Sequence, residues 1–227
     1  MRAVILAAGM GKRFGMSIAK CTIKVGEETL IQRLIRLIQE LGLESIVVVG
    51  YRHKDVKKFI PGVKTIYNDK FERGSTYSLY LARDYFPDKE PFIFLQSDLL
   101  FHKRLLEECV HAHGSRLVVG PRHEHSNEEI VVQVKEGIVI NMERGSANGL
   151  EWRGIVRVAP EDRMELLHVL EQGVSYSLDT PLWKSLRTFC TNASVRILHS
   201  DAPWTEIDFP KDLIKAREEI WTLVQNE

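Results

Sequence analysis

The chain has 227 residues, of which 44% are hydrophobic and 27% charged, a globular balance that excludes a disordered, collagen-like or coiled-coil protein. Lys plus Arg and Asp plus Glu both number 31, so the net charge is zero, which argues against a general nucleic-acid binder. No apolar run approaches the roughly 20 residues that span a bilayer. The N-terminal apolar stretch soon meets Lys12 and Arg13 and reads as a strand entering a loop rather than a signal peptide. Cys21, Cys109 and Cys190 show no paired spacing and fit reduced thiols in a cytoplasmic protein.

In chain order, residues 4–6 are a short apolar run that suits a buried parallel strand. Residues 30–41 follow helical spacing and Gly42 stops them. Residues 46–49 form a second buried strand, 55–59 a short helix, 64–67 a third strand and 75–85 a helix. Residues 92–95 are a fourth strand, followed by a helix over 102–111. This alternation predicts a mostly parallel sheet covered on both faces, extending to about residue 120. The pattern then changes. Residues 130–134 and 138–142 flank Lys135-Glu136-Gly137, a hairpin signal. A strand over 154–158, helices near 163–172 and 181–190, a strand over 195–198 and a helix over 210–224 complete the chain. No repeat or linker divides it, so it reads as one domain. No exposed apolar stripe speaks for or against oligomers.

Zero net charge hides an asymmetry. Residues 1–26 hold Arg2, Lys12, Arg13, Lys20 and Lys24 and no acid, which leaves the remainder net acidic. The basic segment contains Gly9 and Gly11, whose backbone can approach an anion closely, at the carboxyl end of a strand where open α/β sheets bind ligands. A dinucleotide fingerprint fails because Phe14 stands at its third glycine and Gly50-Tyr51-Arg52 supplies no acid. A P-loop fails on spacing and on the residue after Lys12. A loop of the form L-A-A-G-x-G-x-R followed by a lysine remains, and Leu6 to Arg13 with Lys20 match it. Lys24 falls where strand alternation points it to solvent. His111, His113, His123 and His125 have no zinc spacing and read as solvated surface.

That string resembles the signature of nucleotidyltransferases that join a nucleoside triphosphate to a phosphorylated sugar or alcohol. The family has Pro-Lys where this chain has Ala19-Lys20. Leu95-Gln96-Ser97-Asp98 resembles the family's strand end that holds Mg²⁺. Trp204-Thr205-Glu206-Ile207-Asp208-Phe209-Pro210-Lys211-Asp212-Leu213 resembles the segment that supplies the second metal carboxylate. Asn68 and Gly74 to Leu79 resemble the base-binding turn of cytidylyltransferases, and Glu151-Trp152-Arg153-Gly154-Ile155 the acceptor-side segment of small-alcohol relatives. The look is nearest to the phosphocholine and inositol-1-phosphate cytidylyltransferases.

The resemblance implies a Rossmann-like three-layer α/β/α fold of the nucleotide-diphospho-sugar transferase type, with a small acceptor-side subdomain. Residues 1–120 would bind the nucleotide and 121–227 the acceptor. It implies nucleotide contacts at Leu6, Ala7, Ala8, Gly9, Gly11, Lys12, Gly74, Ser75, Ser78 and Asp98, catalytic cations at Arg13 and Lys20, and Mg²⁺ on Asp98 and Asp208. Ser75 also suits an N-cap for the helix that follows it, and Asp212 suits the first turn of the last helix. Trp152, Tyr176, Trp183 and Trp204 are available to a quaternary ammonium. Glu151, Asp179 and Glu206 would serve a polyol, with Arg122 on the acceptor phosphate. The substrates implied are a nucleoside triphosphate, CTP first, and phosphocholine, inositol-1-phosphate, an aminoethylphosphonate or a sugar-1-phosphate. UTP with a sugar phosphate, and a nucleotide-binding module without turnover, stay open.

Overall fold

The computed structural model describes residues 1–15, 17–122, 127–177 and 179–227. His123 and His125 lie outside the described residues. Strand β1 (Arg2–Ala7) leads through the glycine-rich loop to a two-residue ribbon, β2 (Lys24–Val25) and β3 (Glu28–Thr29), and then to α1 (Leu30–Glu40). The start of α1 is set by a capping box between Thr29 and Gln32, which satisfies two otherwise orphaned donors. There follow β4 (Glu44–Val49), α2 (His53–Phe59), β5 (Lys64–Tyr67), α3 (Gly74–Leu81), β6 (Phe92–Gln96), β7 (Leu99–Phe101) and α4 (Arg104–His111). The second half contains β8 (Arg116–Gly120), β9 (Ile130–Lys135), β10 (Ile138–Arg144), β11 (Leu150–Val158), α5 (Arg163–Tyr176) and α6 (Leu182–Asn192). It closes with β12 (Arg196–His199), β13 (Trp204–Glu206), α7 (Pro210–Lys215), a π-helical turn (Ala216–Ile220) and α8 (Trp221–Val224).

Nine strands form one twisted sheet in the order β5-β4-β1-β6-β11-β8-β12-β10-β9. The four strands of the first half run parallel, as their helical crossovers require. The second half joins by antiparallel pairing of β11 to β6 and ends in the β9–β10 hairpin, so the sheet as a whole is mixed. Successive β1 side chains serve opposite faces. Ala3, Ile5 and Ala7 join the core under α1, α2 and α4, while Val4, Leu6 and Ala8 join the core under α3, α5 and α6. These are the three layers expected. No helix of the described residues is long and apolar enough to cross a membrane.

Several elements depart from the sequence reading. The helix expected over 75–85 ends at Leu81, and a separate tight turn covers Arg83–Tyr85. Strand β8 was not anticipated, because its apolar run is only Leu117-Val118-Val119, with Gly120 next. β7 and β13 are three residues each, too short for periodicity to register. Yet they pair with one another, Leu99 opposite Glu206 and Phe101 opposite Trp204, and this small ladder builds the site.

Candidate active site

Parallel register aligns the carboxyl ends of β1, β4, β5 and β6: Ala7 lies opposite Val49, Val49 opposite Tyr67, and Leu6 opposite Gln96. Every loop leaving these ends therefore opens on one edge. The glycine-rich loop is anchored there by buried Phe14, which packs with Ile23, Val25, Ile207 and Ile220 in a third apolar cluster. Gly11 has φ +59°, and a Cβ there would lie 2.6 Å from Lys20 Cγ. Glycine is thus needed both for the turn and for the passage of the lysine. Ala19 adopts φ −75°, within the range a proline ring imposes, so the departure from the family's Pro-Lys leaves the local backbone geometry intact.

Lys20 reaches the centre of the site. Its Nζ donates to Asp208 Oδ1 at 2.5 Å and lies 2.6 Å from Asp98 Oδ2. Burial opposes its charge, but Asp98, Asp208 and Glu206 outweigh burial and hold its pKa above the ordinary lysine value. Arg13 Nη1 donates to Asp208 Oδ2 at 2.8 Å. The β7–β13 ladder, extended by Ile207 N–H donating to Asp98 O at 2.9 Å, brings Asp98 beside Glu206 and Asp208. One oxygen of each of these three carboxylates lies within 4.8 Å of the others. Burial, with Asp98 and Asp208 beside it, pushes the Glu206 carboxyl well above the usual range. Such an all-oxygen set suits a hard divalent cation, and Asp98, Asp208 and Glu206 are the residues that would hold one. Sequence reasoning placed Glu206 with the acceptor and missed it here. Asp212 sits in the first turn of α7 as expected, and its carboxylate accepts from the Asp208 and Phe209 N–H groups at 2.8 and 2.7 Å, fixing the Asp208 backbone.

Two cavities meet at this cluster. One, of about 260 Å³, is lined by Leu6, Ala7, Ala8, Gly9, Lys20, Ser78 and others. The second, of about 300 Å³, is lined by Arg13, Arg144, two tryptophans and seven carboxylates. Gly74, Ser75, Gln96 and Asp98 belong to both walls. Gly11 packs on Lys20, whereas Lys12 is exposed and lines neither. Ser78 is held by a bond from Asn68 Nδ2 at 3.0 Å. Ser75 does not cap its own helix: its hydroxyl accepts from Leu182 N–H at 2.9 Å and so satisfies a donor at the start of α6. It ties the start of α3 to the start of α6.

The acceptor-side expectations divide. Glu151, Trp152, Asp179 and Glu206 line the second cavity. Trp152 is aimed there by a bulge at Gly154, φ +74°, where the register shifts between Trp152 and Val156. Three residues are corrected. Arg122 is buried against Glu129 at 2.6 Å and donates to the Ser146 and Ala147 carbonyls, each at 2.9 Å; it is scaffold and lines neither cavity. Tyr176 is 93% exposed at the end of α5 and faces a different cavity. Trp204 lies under the Arg153 guanidinium, 4.3 Å from its ring, with its N–H on Arg153 O; it lines an adjoining cavity that shares Glu128, Glu129, Glu151, Glu206 and Asp208 with the second. Glu128, Glu129 and Arg144 on the cavity wall were missed, since each lies outside a recognisable motif, and Gln96, inside the strand-end segment 95–98, was given no role of its own. His111 and His113 are exposed, and the carboxylate trio is the sole candidate metal cluster among the described residues.

Comparison with known proteins agrees with this geometry. Residues 3–145 match the model of the MobA-like NTP transferase domain. The chain is 29% identical over 228 residues to a bifunctional IPC transferase and DIPP synthase of Thermococcus kodakarensis, covering 95% of this chain and 50% of that one. It is 28% identical over 185 residues to a choline-phosphate cytidylyltransferase of Haemophilus influenzae, covering 77% and 76%. The chain spans about half the length, or less, of the bifunctional relatives it matches. A solved CTP:phosphocholine cytidylyltransferase from Streptococcus pneumoniae superposes with a TM-score of 0.82 at 22% identity, over 96% of this chain and 97% of that one. The inositol-1-phosphate CTP transferase from T. maritima gives 0.77 at 22% identity, over the same shares. Matched over more than half its length, and with the glycine-rich loop inside the matched part, the chain belongs to the MobA-like NTP transferase family.

Proposed function

We propose that the protein transfers the cytidylyl group of CTP to the phosphate of a small phosphorylated alcohol, releasing pyrophosphate. One observation carries this reading: Lys20, Arg13 and three carboxylates converge where the two cavities meet. The smaller cavity suits the nucleoside, with Ser75 and Ser78 near the base, and the second suits the acceptor. An acceptor phosphate oxygen attacks the α-phosphorus, and the bond to the bridging oxygen of the β-phosphate breaks. The nucleophile is already an anion, so no general base is needed and catalysis rests on positioning and charge neutralisation. Lys20 neutralises the charge that builds on the α-phosphate. Arg13 and the amides around Gly9 and Gly11 hold the departing pyrophosphate. Mg²⁺, when bound, supplies Lewis-acid stabilisation of phosphate oxygens, and Asp98, Asp208 and Glu206 would hold it.

Seven carboxylates and two tryptophans against two arginines on the second cavity wall favour an acceptor with a cationic headgroup. Trp152 offers a face for it, with Glu151 and Asp179 nearby. Lys184 and Arg187 lie 5.7 and 5.9 Å from the Trp183 ring, so Trp183 is the lesser candidate. Inositol-1-phosphate is the second reading, supported by the same carboxylates as partners for hydroxyl groups. The test is pyrophosphate release with Mg²⁺, each nucleoside triphosphate in turn, and phosphocholine, inositol-1-phosphate, aminoethylphosphonate or sugar-1-phosphates. Turnover with CTP and phosphocholine is expected, and it should vanish in Asp208→Ala. No release with any pair would refute the reaction, and release with UTP or GTP alone would refute cytidylyl transfer.

A further inference from the structure

The turn that carries Lys20 is held from its C-terminal side by its own residues. Thr22 Oγ1 donates to Ala19 O at 2.7 Å, and the Thr22 and Ile23 N–H groups donate to Ala19 O and Lys20 O at 2.9 and 3.0 Å. The residues ahead of Lys20 are met by another element. Ala19 keeps φ −75° with no ring to impose it. Just before it, Ser17 O accepts from Arg52 Nη1. Arg52 stands in the turn between β4 and α2, and its backbone is left-handed, with φ +50° and ψ +33°. A side chain is strained there, and such strain persists only where the surroundings over-determine it, often at a working site.

The surroundings of Arg52 are specific. Tyr51 N–H donates to Ala8 O at 3.0 Å, and a Cβ on Gly50 would lie 2.9 Å from that same oxygen, so the turn sits directly on the start of the glycine-rich loop. His53 N–H donates to Gly50 O at 3.0 Å and closes the turn. Arg52 Nε donates to Asp55 Oδ2 at 2.8 Å, and Lys58 Nζ lies 2.8 Å from Asp55 Oδ1, so a fixed carboxylate aims the guanidinium at Ser17. Two adjacent residues thus grip the loop at both ends, Tyr51 at Ala8 and Arg52 at Ser17. The Arg52 and Asp55 side chains are 42% and 35% exposed, and so exposed a pair adds little to stability. What it supplies is position. We propose that Arg52 is a positioning residue for the glycine-rich loop: by fixing Ser17 it sets the turn from which Lys20 reaches Asp98 and Asp208. Its effect on turnover rests on the nucleotidyl-transfer reading above.

Arg52→Gly tests it, because this change removes the guanidinium and relieves the strained backbone together. Relief of the left-handed residue offsets the freedom that glycine adds to the unfolded chain, so the melting temperature should fall by no more than about 2 °C. A misplacement of about 1 Å can cost on the order of a hundredfold in rate. With CTP and phosphocholine or inositol-1-phosphate, whichever the wild type turns over, kcat should therefore fall at least about tenfold. Both KM values should stay within about threefold, since Lys20 acts on charge that appears in the transition state. Arg52→Lys keeps a donor for Ser17 O and should recover part of the loss. Hydrogen exchange of the folded protein, read by mass spectrometry, should quicken over residues 17–23 in Arg52→Gly and stay unchanged over residues 92–96 of β6. A kcat within twofold of wild type would overturn the proposal. So would a melting temperature lowered well beyond that limit, the mark of general loosening, or wild-type exchange over residues 17–23. Exchange depends on no reaction. If wild-type protein releases no pyrophosphate with any pair, the reaction is refuted, and the exchange of residues 17–23 alone then decides whether Arg52 anchors Ser17.

Discussion

Replacing Lys20 with Met should abolish turnover and yet tighten the binding of a divalent cation in the absence of nucleotide. The Lys20 ammonium lies 2.6 and 2.5 Å from oxygens of Asp98 and Asp208, two of the carboxylates that would coordinate the metal. It fills that place and repels a second cation. Unit charges 4 Å apart interact by about 4 kcal/mol at an effective dielectric of about 20, so a divalent ion at that spacing is opposed by about 8 kcal/mol. Water reaches the cluster, with the Asp208 side chain 26% exposed, and most of that opposition is screened. Even a sixth of it, about 1.4 kcal/mol, is a tenfold change in affinity. Titration of Mn²⁺ by electron paramagnetic resonance should therefore give a Kd at least about tenfold lower in the variant than in nucleotide-free wild type. In wild type, CTP should lower the Mn²⁺ Kd by drawing Lys20 onto the α-phosphate, and the variant should lose most of that response. A folded Lys20→Met protein that binds Mn²⁺ no better than wild type would refute the reasoning.

Two further outcomes concern the interior. Burial pushes the Cys21 and Cys109 thiols up to about 12, with Asp98 adding to the effect at Cys21, and burial raises Cys190 as well. A raised thiol pKa means little thiolate, so native protein should react slowly with a disulfide reagent even at pH 8.5 and titrate all three thiols only in denaturant. Rapid modification of the native protein would contradict this packing. Arg153 is 1% exposed, pairs with Glu151 at 3.1 Å and donates to Pro121 O at 2.6 Å. Arg153→Met should lower stability by about 3 kcal/mol, the scale for removing one partner of a buried pair. A loss below about 1 kcal/mol in urea unfolding would show that Arg153 does not hold this segment.

The first half of the chain was legible in the sequence because its signals are local. Short, unbroken apolar runs give β1, β4 and β6, and a contiguous string gives the loop from Leu6 to Arg13. The three-layer core follows from alternation along β1 and helical spacing along α1. The second half was less legible because its part of the candidate site is assembled by tertiary contact. Arg122 and Arg144 are both arginines near turns, and only the fold shows that Glu129 takes one and leaves the other on the cavity wall. Glu206 carries no local mark that separates a metal ligand from an acceptor contact. Its pairing opposite Leu99, the residue next to Asp98, brings it into the carboxylate cluster. Tyr176 and Trp204 were equally plausible cage walls by residue type, yet one ends a helix in solvent and the other is covered by Arg153.

The β7–β13 ladder has a consequence for biosynthesis. Asp98 leaves the ribosome long before Glu206 and Asp208, which are separated from it by more than a hundred residues. Closing so long a loop is entropically costly and follows the docking of other elements. A nascent chain that has completed the parallel strands already carries the glycine-rich loop and Asp98 but lacks the other two carboxylates of the cluster. The matched family segment, residues 3–145, ends well before that closure. The carboxylate cluster is thus completed late in translation, when a three-residue strand docks on another of the same length.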